Sequence, residues 1–185
     1  MKNSYITSHF PLFSILIYST AFALYAEGYI ARQLQTLGLY EGMMEFFSES
    51  GIKLTLLFLL LLFIFMIFSA LKLIADTVVQ LSLLFFSRDE KGDELKRIRS
   101  GTWIYLISSL VALFFFHSVF VVIIVFISAT FFYFIFFLFK LSDSLNPLNM
   151  FGLILFHLLF WLAFMISVVY AFLRLYNSFI ASLSL

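Results

Sequence analysis

His157, in the run "FGLILFHLLFWLAF", reads as the one ionisable side chain well inside an apolar stretch long enough to cross a bilayer. An ionisable group at membrane depth is by default a functional-site hypothesis. A neutral imidazole brings one donor and one acceptor that must be satisfied there. Hydroxyls stand near the middle of the other apolar runs: Ser19 and Thr20, Ser108 and Ser109, Ser128 and Thr130. Gathered at one depth, these seven residues would form a polar midplane girdle able to line an ion or solute path. The plainer reading weighs more. Each Ser or Thr bonds its own helix carbonyl, and His157 is interhelical glue worth about 0.6–2 kcal/mol.

A second group is acidic. Glu41, Glu45 and Glu49 in "LYEGMMEFFSES" recur every four residues, a spacing that stacks them on one helical face with Tyr40, Met43, Phe46 and Phe47 opposite. The pattern predicts a short amphipathic helix on the outer membrane surface. Three carboxylates could gather Ca²⁺ or Mg²⁺, but the loop geometry and further oxygen ligands of such a site are missing. A solvated acidic face is the expectation, with no metal. A third group is basic: Arg88, Lys91, Lys96, Arg97 and Arg99, with Asp93 and Glu94 among them. Cations here suit anionic headgroups at about 1 kcal/mol each, and they could also dock a cytoplasmic partner.

Catalysis finds no support. No nucleophile stands beside a base, no His pair has ligand spacing, and no glycine loop cradles phosphate. The absence of cysteine removes thiol chemistry and disulfides. No catalytic residue, cofactor or enzymatic activity is expected.

The elements that must position these groups follow from composition. Of 185 residues, 64% are hydrophobic and 11% charged, against about 45–50% and 25% in soluble domains. Lipid is the solvent for that surplus. A net charge of +1 offers nothing to nucleic acid. About 20 apolar residues cross a bilayer, and spans are predicted over 11–30, opened by Pro11, and over 54–74. A cleaved signal peptide, with Lys2 as its basic region and "AFA" as its cleavage site, is the rival reading of the first span. From Thr102 to Lys140 no charge appears before the lysine. As one helix these residues would make a rod of roughly 58 Å, nearly twice the hydrocarbon thickness. Two antiparallel spans, 98–116 and 119–139, turning at His117-Ser118, avoid that overhang. A last span, 148–170, opens at Pro147. The cations of the 88–99 loop place that loop in the cytoplasm. The N-terminus is then inside, and five spans put the C-terminus outside; four would put it inside.

The segments "GLYEGMMEFFSESG", "LSLLFFSRDEKGDELKRIRSG" and "FKLSDSL" together resemble the YufK-like family of small membrane proteins from Bacillus-type bacteria. The resemblance implies a bacterial plasma membrane protein and brings no catalytic or binding residue with it. The expected architecture is an all-α integral membrane bundle in a single domain. It has five transmembrane helices, or four in the alternative threading, and one interfacial helix. The expected role is that of an interaction or accessory protein, its partners the lipid bilayer and a membrane protein or second copy. A small channel or carrier using the girdle is the alternative.

Overall fold

The computed structural model describes residues 4–87, 89 and 92–183, with side chains between residues 9 and 182. Regular structure among them is helical throughout: α1 (Ser4–Thr36), α2 (Leu39–Met44), α3 (Glu49–Phe86), α4 (Asp93–Arg99), α5 (Thr102–Phe114), α6 (Val119–Leu141) and α7 (Pro147–Leu183). Four of them, α1, α3, α6 and α7, contain stretches long and apolar enough to cross a membrane. The helices gather into two compact units, Met1–Ile74 with Gly92–Lys140 and Ala75–Lys91 with Leu141–Leu185.

In the first unit α1 and α5 are the most closely packed helices. Small residues permit this: Ala21 and Ala112 are fully buried and share one core cluster with Tyr18 and Val122. Lipid tails are as apolar as leucine, so close approach over small side chains is what drives such pairs together. Phe10 meets Trp103, with ring centroids 4.2 Å apart, and Tyr18 meets Ser108. Residue numbers rise together along both helices, so α1 and α5 run parallel. On α3, Phe68 stacks near Tyr18 and Phe22, while Ile52 packs with Ala31 and Tyr40. This helix is antiparallel to α1.

The segment 102–140 is two helices. The α5 helix ends at Phe114, residues 115–117 turn, and α6 starts at Val119. The pair is antiparallel, because Tyr105 contacts Thr130 and Tyr133 while Gly101 lies against Phe136. A Cβ on Gly101 would stand 2.6 Å from the Phe136 ring, so only glycine admits that ring. Two boundaries differ from the sequence expectation. The predicted span 98–116 is divided at Ser100-Gly101, where hydrogen bonds from Gly101 N to Ile98 O and from Ile104 N to Gly101 O tighten the backbone. That leaves α5 with 13 residues, about 20 Å. Pro11 does not open α1; the helix begins at Ser4 and carries Pro11 inside.

The acidic stretch also differs. The predicted short helix is present as α2, with Glu41 in its first turn, but it ends at Met44 and Glu45 caps it. Ser48 then accepts the Gly51 N–H at 3.1 Å, an N-cap bond that starts a new helix, and Glu49 opens α3. The three glutamates therefore do not share a helix face.

In the second unit the end of α3 packs on the start of α7. Phe85 and Phe86 both face Phe156, and Gly152 lies where a Cβ would come 2.5 Å from the Phe86 ring. The final carbonyls of any helix lack intrahelical donors. Asn149 Nδ2 supplies one, donating to Phe86 O at 2.9 Å. As expected, Pro147 is the first residue of α7, where its missing N–H costs nothing. The helix then runs 37 residues, about 55 Å.

Candidate functional site

The hydroxyls predicted to share the midplane are brought together in part, in the first unit. Tyr18 OH donates to Ser108 Oγ at 2.8 Å, and Ser108 Oγ donates to Tyr105 O at 3.1 Å. Tyr105 OH reaches Thr130 Oγ1 at 3.3 Å, and Thr130 Oγ1 donates to Phe126 O at 3.0 Å. This line of hydroxyls stitches α1 to α5 and α5 to α6. It ends on backbone carbonyls, so its protons are held in the seams. Ser109 donates to Leu106 O and Thr20 to Leu16 O, both at 2.8 Å and both within their own helices. Ser19 is fully buried, and its Oγ has no hydrogen-bond partner among the described residues.

His157 belongs to the second unit. It is 5% exposed, and its Nδ1 lies 3.0 Å from Leu153 O. A carbonyl can only accept, so Nδ1 carries the proton. Asn149, Leu153 and His157 recur every four residues along α7, and Asn149 at the head of that row bonds Phe86 O on α3. The imidazole is buried, and its Nδ1 hydrogen bond is to its own helix.

Ser128 faces a groove between α5 and α6 with a volume of about 710 Å³. Ile104, Ile107 and Val111 form one wall, and Ile124, Phe132 and Phe139 the other. The small side chains Ser108, Ser128 and Ala129 leave the space between them. It is apolar, and it opens along its length.

Of the basic group, Arg88 and Lys91 lie outside the described residues. Lys96, Arg97 and Arg99 fill the last turn of α4, all exposed, where cations suit the negative end of the helix. Lys96 pairs with Asp93 at 3.0 Å. In the acidic stretch Glu49 is held by Lys53 at 2.6 Å. Among the described residues no three His, Cys, Asp or Glu side chains are grouped to hold a metal ion.

Two polar groups escape the sequence reading. Glu27 lies three residues from the end of the first predicted span. Its Oε1 is buried without a hydrogen-bond partner among the described residues, and the carboxylate is within electrostatic reach of Lys53. Tyr40 is 3% exposed, and its hydroxyl is likewise unpartnered. Tyr18 and Tyr105, the donors of the hydroxyl line, are also missed. The available signal is Ser14, Tyr18 and Ala21 at i, i+4 and i+7 on α1, a small-and-polar stripe of the kind that marks helix seams in membranes.

Over 183 residues the chain is 42% identical to "Uncharacterized membrane protein YufK" of Bacillus subtilis (strain 168), covering 99% of both sequences. No solved structure matches it. Residues 27–184 match DUF5366, described as a family of unknown function. The chain is a membrane protein with transmembrane helices, and it belongs to the DUF5366 family.

Proposed function

We propose that this is a multi-pass interaction protein of the plasma membrane. It crosses five times, with the N-terminus cytoplasmic and the C-terminus outside, and it holds another membrane protein against its last helix. The observation that carries the reading is the length of α7. About 55 Å of helix exceeds the roughly 30 Å hydrocarbon core, and every residue from 169 to 182 is exposed. That stretch includes Tyr170, Phe172, Leu175, Tyr176 and Phe179 together with Arg174 and Asn177. Apolar turns bearing a cation and an amide, exposed among the described residues, suit a helix–helix contact in which polar groups act as glue. The hydroxyls favour the same reading over a carrier, since Ser108 and Thr130 are bonded in seams between helices and Thr20 and Ser109 to their own helix carbonyls. No nucleophile–base pair appears among the described residues, and no enzymatic step is proposed.

The test places a photo-crosslinking phenylalanine analogue at Phe172 or Phe179, with lipid-facing Phe63 on α3 as control, and irradiates living cells. A discrete adduct from α7 positions alone supports the proposal. An adduct of twice the chain mass would make the partner a second copy. Absence of any adduct, with ion flux into liposomes that His157→Ala abolishes at unchanged protein level, would replace it with a carrier.

A further inference from the structure

The geometry points to a site for one anionic phospholipid on the first unit, its acyl chain in the α5–α6 groove and its phosphate at Lys140, Arg97 and Arg99. The groove follows α6 from Ile124 to Phe139, about 22 Å of helix, more than the roughly 15 Å depth of one leaflet. An acyl chain fits its volume. A helix of the same length and about 10 Å diameter would need roughly 1,700 Å³ and would stand mostly outside about 710 Å³. The chemistry changes at the Phe139 end. There Lys140 Nζ sits 5.5 Å from the centre of the Phe136 ring, a groove-lining side chain. Gly101 packs on that same ring, and the antiparallel register that pairs 101 with 136 brings residue 97 level with residue 140. The backbone stays right-handed helical through Ser100 and Gly101, so the basic last turn of α4 continues α5 towards that end. Asp93 is already taken by Lys96. Trp103, 45% exposed beside Phe10, marks the same level as the interface where tryptophan settles. The site is independent of the partner proposed for α7.

Trp103 also reports on it. In the full chain carrying Trp161→Phe, lipids brominated on their acyl chains would quench Trp103 when they occupy the groove. Brominated phosphatidylglycerol is expected to quench at a mole fraction more than about tenfold lower than brominated phosphatidylcholine. Lys140→Gln and Arg97→Gln should each reduce that preference by about fivefold at low salt. Ala129→Leu should weaken quenching by both lipids with the helical circular dichroism unchanged. Equal quenching by the two headgroups would overturn the proposal in favour of ordinary annular lipid. So would a preference that survives both charge removals. Quenching that appears only after dilution of a chemically cross-linkable dimer would assign the groove to a second copy and overturn it equally.

Discussion

The Tyr18 hydroxyl donates a 2.8 Å hydrogen bond to Ser108 Oγ across 90 residues of sequence, and it does so where α1 and α5 run parallel. Tyr18→Phe removes the donor and leaves Ser108 bonded to Tyr105 O. It should cost about 0.6–2 kcal/mol, the usual range for interhelical hydrogen bonds in membranes. Ser108→Ala should cost more, because it strands a buried hydroxyl. A double-mutant cycle by reversible unfolding in bicelles checks both values, and a coupling near zero would show that the bond contributes nothing.

Tyr40 predicts the opposite sign. Its buried hydroxyl has no partner among the described residues, so Tyr40→Phe keeps the ring packed on Ala31 and Ile52 and removes an unsatisfied group. Thermal unfolding should stay level or rise. A drop of several degrees would mean that the hydroxyl is bonded in the bilayer, to water or to an ion shared with Glu27.

Glycines give a graded series. Gly101→Ala drives a Cβ into the Phe136 ring and Gly152→Ala into the Phe86 ring, and overpacking of this kind costs about 1–3 kcal/mol. Trimming the opposing ring in Gly101→Ala/Phe136→Leu should recover part of the loss. Gly28 has nothing within 4 Å of an added Cβ and lies inside α1. Gly28→Ala should therefore stabilise by about 0.5–1 kcal/mol. The three variants are ranked by one detergent-challenge melting curve, and the order 28 above wild type above 101 and 152 is expected.

The hairpin is tested by distance. Tyr105 and Thr130 touch at 3.3 Å, whereas on a single rod 25 residues of helix would hold them about 38 Å apart. Tyr105→Cys with Thr130→Cys, in a chain without native cysteine, should be bridged by a short bismaleimide and shift on a gel after cleavage between the helices. Failure to bridge would return 102–140 to one rod.

Length arithmetic made this hairpin legible in the sequence, although its turn carries no glycine, proline or asparagine. The structure supplies the reason. Among the described residues positive φ occurs only at Gly38 and Gly92; Phe115 turns the chain at φ −106° and ψ 24°, a conformation open to any residue. The acidic stretch was misread for the converse reason. A four-residue period of glutamates continues across Ser48, and the N-cap bond from Gly51 to its hydroxyl breaks the helix without breaking the period. Apolar runs and Pro147 sufficed for most of the helices. Which hydroxyls meet was not legible, because depth along a helix can be counted but rotation about its axis is set by neighbours. Tyr18, which the sequence reading passes over, is the residue that locates Ser108.

The parallel pairing of α1 with α5 also fixes an order of events during synthesis. Ribosomes add about 5–20 residues per second, so the 90 residues between Tyr18 and Ser108 take roughly 5–18 s to emerge. Throughout that interval α1 sits in the bilayer with the Ser14–Tyr18–Ala21 stripe uncovered, sheltered only by α3. A nascent chain arrested before residue 102 therefore lacks the α5 partner for the same small-and-polar face that holds the finished unit together.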